Sequence, residues 1–338
     1  MTIAKKDNAL VRFFYPLLER FLPPFWANKI KLCGCILAGD WMIPLAPWNR
    51  DIRELKHQQI LTHFEGLEEN SIQEILHFVE FCQKTSIFRE NELLRYSSFI
   101  KESYFLTDSE IKKSHFEEKQ LWKLSRRYGI KLPETPSLLY HHGLTLLDAA
   151  VHQYIAKGDF IDAGAYDGAS ALVFQKYQPH RVYSFEPSPA NQAIYLATMK
   201  RNRIKKDKFE LVNAGLSEQD GELHFDPEAG IATTLSETGG QSCKITSIDN
   251  YAELHGLDVK LIKADIEGMG LELLKGAVKT IKKQRPLLLL SVYHNCKELL
   301  GQYELLKSMN LEYEIKFCPL YRCAFELTLI AFPKELIN

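Results

Sequence analysis

From Leu146 to Phe332 short apolar runs alternate with stripes of helical period, and few folds accept that pattern. Phe160-Ile-Asp-Ala-Gly164, Val182-Tyr-Ser-Phe-Glu186, Phe209 to Asn213, Leu261 to Asp265 and Leu287 to Val292 read as strands. The first is preceded by the stripe Leu146/Leu147, Ala150/Val151 and Tyr154/Ile155. Further helices are expected from Ala169 to Tyr177, after Ser188 as N-cap with Pro189 in the first turn, and along Leu273/Leu274, Ala277/Val278 and Ile281. Strands that alternate with helices build a parallel sheet covered on both faces. The run Leu287 to Val292, apolar at every position but Ser291, suits a central strand. Glu312 to Phe317 and Glu326 to Phe332 read as a closing antiparallel pair, and Gly221 suggests a hairpin returning through Glu222 to Phe225. The expected fold class is α/β: a doubly wound, seven-stranded, Rossmann-like sheet.

The first third of the chain differs. From Asp51 to about Tyr128 the pattern is helical, with Ile72, Ile75, Leu76 and Val79 at spacings of three and four, and Ser71 with Glu74 as a capping box. Lys131-Leu-Pro-Glu-Thr-Pro-Ser137 is a loop signal. Residues 1–135 are therefore expected as a helical N-terminal extension that shapes a substrate site or mediates an interaction, and residues 136–338 as the α/β domain. Leu10 to Trp48 is rich in Leu, Phe, Trp and Pro. Arg12, Glu19, Arg20, Lys29, Lys31 and Asp40 interrupt it before it reaches the roughly 18 apolar residues of a spanning helix. It reads as an amphipathic segment packed on the protein, with peripheral membrane contact the minor alternative.

A net charge of -1 gives no general nucleic-acid binder, and 46% hydrophobic residues exclude disorder. The dense cations Lys200, Arg201, Arg203, Lys205, Lys206 and Lys208 read as a solvated helix end. Seven dispersed cysteines fit a reducing, cytoplasmic location better than a disulfide framework. Cys33 and Cys35 stand too close together for a zinc knuckle and read as buried thiols.

In an open α/β sheet, ligands bind outside the carboxyl ends of the strands, where the strand order reverses. The polar residues at those ends are Asp162-Ala-Gly-Ala-Tyr-Asp-Gly168, Glu186, Asn213, Asp265-Ile-Glu-Gly268 and Tyr293-His294. Gly164 would let the backbone approach a ligand, and Gly168 would let the next helix start against the strand. Glu186 lies 24 residues beyond Asp162, where a carboxylate can accept both ribose hydroxyls of a nucleoside. A dinucleotide needs three glycines to seat its pyrophosphate. Tyr166 and Ala169 occupy two of those positions, which disfavours a dinucleotide oxidoreductase and suits S-adenosylmethionine.

At this point the chain resembles the FkbM-type S-adenosylmethionine-dependent methyltransferases. The resemblance runs from about Tyr140 to Phe332. It rests on five ordered blocks: Phe-Ile-Asp-Ala-Gly-Ala-Tyr-Asp-Gly at 160–168, Ser-Phe-Glu-Pro-Ser at 184–188, Ile-Thr-Ser-Ile-Asp at 245–249, Leu-Ile-Lys-Ala-Asp-Ile-Glu-Gly at 261–268 and Ser-Val-Tyr-His at 291–294. One departure is Met269-Gly270, where the family pattern has a small residue and then a second glutamate. The resemblance implies a methyltransferase-type sheet and methyl transfer to a hydroxyl oxygen of a sugar, glycan or related metabolite. It also implies a cofactor site of Asp162, Gly164, Ala165, Gly168 and Glu186, with Asn213 near the adenine. The rival of another class is a non-catalytic S-adenosylmethionine-binding scaffold.

A hydroxyl is a poor nucleophile, so a base within reach helps, and Asp265, Glu267 and His294 are the candidates. His294, with an ordinary pKa closest to neutrality, is expected as base, and Asp265 as orienter or substrate ligand. The bland alternatives are that Asp265 and Glu267 cap the helix beginning near Gly268, and that His294 bonds only a carbonyl. A divalent metal on these three residues is a minor reading, and none is expected. Lys263 is expected to pair with Asp265 and Asp249 to cap the helix after Thr246-Ser247, and at most one of His141 and His142 is expected to cover the substrate.

Overall fold

The computed structural model describes residues 51–90, 108–130, 139–225, 235–236, 240–321 and 326–337. The 10–48 segment, Cys33, Cys35 and the loop at 131–137 lie outside the described residues. The described strands are β1 (Asp159–Ala163), β2 (Val182–Phe185), β3 (Phe209–Val212), β4 (Gly215–Leu216), β5 (Gly221–Phe225), β6 (Leu235–Ser236), β7 (Gln241–Thr246), β8 (Val259–Ala264), β9 (Leu287–Ser291), β10 (Tyr313–Tyr321) and β11 (Glu326–Pro333). Helices α1 (His57–His63), α2 (Glu69–Glu90) and α3 (Asp108–Tyr128) precede them. The later helices are α4 (Ala149–Ile155), α5 (Ala169–Phe174), α6 (Pro189–Arg201), α7 (Ile248–His255), α8 (Gly270–Lys275), α9 (Val278–Gln284) and α10 (Gln302–Met309).

The main sheet has seven strands in the order β10-β11-β9-β8-β1-β2-β3. β3, β2, β1, β8 and β9 pair in parallel, and β11 runs antiparallel to both β9 and β10. The order reverses between β1 and β8, which makes their carboxyl ends the switch point. The central strands are buried on both faces, and successive side chains alternate between them. Leu288 and Leu290 join the core on one face with Ile161, Ile262 and Leu329, while Leu287 and Leu289 join Phe160, Leu261 and Ile330 on the other. Burying each of those leucines contributes roughly 1.5–3 kcal/mol over leaving it exposed.

Local differences from expectation have physical causes. β5 starts at Gly221 but closes no hairpin on the strand before it. It pairs antiparallel with β7 in a second sheet of order β4-β7-β5-β6, where β4 also pairs with β7. The stripe from Leu273 to Ile281 is two helices, because Asp249 accepts the amides of Lys279 and Thr280 at 2.9 and 2.7 Å and so starts α9 afresh. Asp249 thus caps α9. Ser247, whose hydroxyl accepts the Asn250 amide, caps α7. Ser71 makes no capping box, since α2 begins at Glu69. Its buried hydroxyl donates to Glu68 and accepts the Phe317 amide of β10 at 2.9 Å.

α1 and α2 share the sheet's core: Ile60, Phe64, Ile75 and Val79 pack in the same cluster as Leu288 and Phe317. The residues before α1 also reach the segment after β9, because Asp51 accepts the Cys296 amide at 2.9 Å. In α1, the His63 ring bonds the Leu300 carbonyl at 3.3 Å. Among the described residues no helix is long and apolar enough to cross a membrane.

Candidate active site

β1 ends in a turn that folds back on the tip of β2. The Gly164 and Ala165 amides donate to the Phe185 carbonyl at 3.1 and 3.2 Å, so Gly164 and Glu186 stand side by side. Gly164 has φ +75°, and a Cβ there would meet the Asp265 carbonyl oxygen at 2.0 Å. The backbone at Asp265, just beyond β8, by itself demands glycine here. Gly168, at φ +83°, is the N-cap of α5. A Cβ there would strike Met199 and Tyr195 of α6, so its smallness serves helix packing rather than the strand.

The Glu186 carboxylate is nearly fully buried. One oxygen accepts the Ser188 amide at 2.9 Å and the Asn191 side chain at 3.2 Å, and the other accepts the Tyr166 amide at 3.0 Å. Burial raises its pKa, while these donors and Lys263 hold it back. A carboxylate has about four acceptor positions, so three internal donors leave about one, on the Tyr166 side. Gln192 joins this tip to the next, donating to the Glu186 carbonyl at 2.7 Å and to the exposed Asn213 at 2.8 Å.

Asp162 lies beneath this surface. It is register partner to Lys263 across β1 and β8, and its fully buried carboxylate pairs with that ammonium at 3.2 Å and accepts the Ser184 hydroxyl at 3.3 Å. Lys263 also donates to the carbonyls of Ala163 and Gly164 at 3.0 and 2.9 Å. Lys263 therefore pairs with Asp162 and not with Asp265, which lies beyond the strand end. Ala165 is buried in the packed turn.

Across the switch point, Asp265, Glu267 and His294 come together. His294 is fully buried, with Nε2 at 3.6 Å from an Asp265 oxygen and 3.7 Å from a Glu267 oxygen. Its Nδ1 lies 2.7 Å from Glu298, a buried carboxylate that no sequence motif singles out, although its spacing of four from His294 is that of helical neighbours. Tyr293 donates its hydroxyl to Asp265 at 3.0 Å. Burial would lower the imidazole, but Glu298, Asp265 and Glu267 overcome it and raise His294 to about 9. That shift favours the cationic ring, in which both nitrogens donate. Burial raises Glu267 to about 7; His294 opposes the rise, and Asp265 and Glu298 add to it. Asp265 is held below its ordinary value: burial works against this, but His294, Lys263, His142 and the Tyr293 hydroxyl prevail.

Neither Asp265 nor Glu267 caps the following helix. α8 starts at Gly270, whose amide goes to Glu298 at 2.9 Å. Glu267 itself sits at φ +52°, a costly backbone for a residue with a Cβ, in the tight turn that brings it back toward His294. Of the histidine pair, His141 is taken up by Tyr177 and Lys176 at 2.7 and 3.0 Å. His142 bonds Ser170 of α5 at 2.8 Å and is near enough to Asp265 for each to shift the other. Burial and Lys263 keep His142 neutral, down to about 3. Among the described residues, no group of three His, Cys, Asp or Glu is arranged to hold a metal ion.

Residues 162–310 match the family model of the methyltransferase FkbM domain. Among solved structures, the methyltransferase FkbM from Methylobacillus flagellatus KT is 19% identical, with a TM-score of 0.50 over 81% of this chain and 58% of that one. The chain thus spans less than two thirds of that structure's length, and the likeness is one of fold. The O-methyltransferase from Bacillus cereus, solved with S-adenosylhomocysteine, is 11% identical with a TM-score of 0.38, over 70% of this chain and 96% of that one. The comparison with curated proteins finds no match.

Proposed function

We propose, on the premise that residues 162–310 form a methyltransferase FkbM domain, that this chain moves a methyl group from S-adenosylmethionine to a hydroxyl oxygen of a sugar, glycan or related metabolite. The observation that carries this reading is the shared wall at the switch point. The Asp265 carbonyl lies against Gly164, so the turn holding Asp265 and Glu267 is also the edge of the cofactor-side turn. Groups fit for proton transfer therefore border the place where a nucleoside meets Glu186.

The residues fit the donor. Glu186 keeps about one acceptor position for a ribose hydroxyl, and Asn213, tied to it through Gln192, extends the same edge toward the adenine. Asp162 acts from below, through Lys263, which holds the Ala163 and Gly164 carbonyls in place. When bound, S-adenosylmethionine supplies a methyl on a sulfonium that leaves as a neutral thioether. The protein's share is to align the acceptor oxygen with that methyl and to take its proton. Glu267 takes this proton, being the carboxyl held near neutrality. His294 stays cationic beside it, and Asp265, anchored by Tyr293, orients the acceptor. Asp51 and His63 brace the segment carrying His294, which gives the N-terminal residues a part in shaping the acceptor side.

A scaffold that only binds the donor has use for Gly164 and Glu186 but none for carboxylates gathered around a buried imidazolium, which cost stability wherever they are incompletely compensated. The test is mass spectrometry of candidate glycans and sugar metabolites incubated with isotope-labelled donor, alongside calorimetry with S-adenosylhomocysteine and NADH. A labelled methyl ether and homocysteine-compound binding are expected. Binding of NADH alone would remove the donor assignment, and label found only on nitrogen or carbon would remove the hydroxyl acceptor.

A further inference from the structure

The cluster has a fourth member whose place explains an irregularity of the sequence. After β9 the chain enters a π-helical turn, Lys297–Gly301, a form that often marks functional sites. Glu298 points inward from it and is 1% exposed. One carboxylate oxygen accepts the Gly270 amide at 2.9 Å, and the other lies 2.7 Å from His294 Nδ1. A Cβ on Gly270 would meet that first oxygen at 2.8 Å and the Gln302 amide nitrogen at 2.4 Å, so a side chain at 270 would push the ends of Glu298 and Gln302 aside. This is the position where the resembling family has its second glutamate. Here the carboxylate beside position 270 is that of Glu298.

We propose that Glu298 is a positioning residue of the transfer site: it fills the room left by Gly270 and holds His294 through Nδ1 as a double N–H donor, with Nε2 turned toward Asp265 and Glu267. Among the described residues, Glu298 from the π-helical turn and Asp265 and Glu267 from the turn after β8 face His294 with charge, and the Tyr293 ring packs at 4.0 Å. Glu298 touches no substrate. It acts by fixing which way the imidazole faces and by making it a cation, which steadies Asp265 as an anion beside the acceptor. The role in transfer rests on the acceptor reading above, whereas the effect on His294 does not.

The test uses the full chain with 15N-labelled histidine, followed by NMR as a function of pH. In the native protein His294 is expected to keep both ring protons beyond pH 8. In Glu298→Gln, which keeps the shape and removes the charge, its midpoint is expected to fall by about one to three pH units. The alkaline limb of methyl transfer should fall with it, while affinity for S-adenosylhomocysteine stays within about twofold. A native His294 that titrates at or below the ordinary histidine range overturns the proposal without recourse to any variant. So does an unmoved His294 in Glu298→Gln. A second variant joins Gly270→Glu to Glu298→Gly, returning the carboxylate to its family position, and should restore part of the alkaline limb. Because the NMR arm needs no acceptor, absence of methyl transfer to hydroxyls counts against the acceptor assignment and leaves the titration result for Glu298 standing.

Discussion

Two glutamates flank the switch point in opposite condition. Glu186, the more deeply buried, is surrounded by donors: two main-chain amides and an asparagine. Glu267 has a side chain 19% exposed, accepts no hydrogen bond among the described residues, and faces Asp265 and Glu298 as well as His294. Burial raises both carboxyls, but only at Glu186 do fixed dipoles offset it. Donor supply, not depth, sets the two carboxyls apart.

The sharpest way to break this contrast is Glu267→Gln. If Glu267 takes the acceptor proton, turnover should drop by about 10²- to 10⁴-fold while calorimetric affinity for S-adenosylhomocysteine hardly changes. In the native enzyme the rate should rise through about pH 7 as Glu267 ionises and fall through about pH 9 as His294 loses its proton. Retained turnover in Glu267→Gln, or a rate that falls through pH 7, would make the two glutamates equivalent after all.

Lys263→Met probes what fastens the two tips together. It leaves the Asp162 carboxylate buried without its ammonium and frees the Ala163 and Gly164 carbonyls, for a destabilisation of about 3–5 kcal/mol in denaturant melts. Asp162→Asn with Lys263→Met should recover part of that loss, since no lone charge remains. A single variant as stable as the native chain would show that the pair does not hold the turn.

The sheet was legible because a strand covered on both faces leaves a short apolar run that needs no knowledge of partners, as in Leu287 to Leu290. Neighbours between distant segments left no such mark. Lys263 and Asp265, two apart in sequence, seemed natural partners, yet parallel register sets Lys263 opposite Asp162. Ser71 three residues before Glu74 looks like a capping box, but a tertiary contact claims its hydroxyl for Phe317. The candidate set Asp265, Glu267 and His294 did converge, because strand ends at a switch point are predictable from topology. Their roles are not legible in the same way, since the proton affinity of His294 depends on burial and on Glu298 as well as on Asp265 and Glu267, and only the fold brings Glu298 beside the other two carboxylates.

Glu186→Gln moves the other glutamate. The amide nitrogen of glutamine cannot accept from a main-chain amide, so at least one of the Tyr166 and Ser188 contacts is lost along with the charge. A hydrogen bond to a charged group contributes about 1.5–3 kcal/mol, which puts the loss of donor affinity at roughly 10- to 150-fold. Turnover at saturating donor should hold. A loss of turnover at saturation with affinity intact would place Glu186 on the chemical side of the contrast.

Asn213→Ala is the mildest and tests how far the donor-rich edge extends. Asn213 is exposed and, among the described residues, is joined to Glu186 through Gln192, whose 2.7 Å bond to the Glu186 carbonyl should survive when Asn213 is cut back. Stability should stay within about 0.5 kcal/mol, as for most surface changes. Affinity for S-adenosylhomocysteine should fall by about threefold to tenfold, the worth of one neutral hydrogen bond of about 1 kcal/mol. The discriminating measurement is the same titration in Gln192→Ala. If Asn213 meets the adenine directly, the Gln192 change costs less than the Asn213 change. If Asn213 matters only by holding Gln192 against Glu186, the two cost the same, and the binding edge ends at the tip of β2.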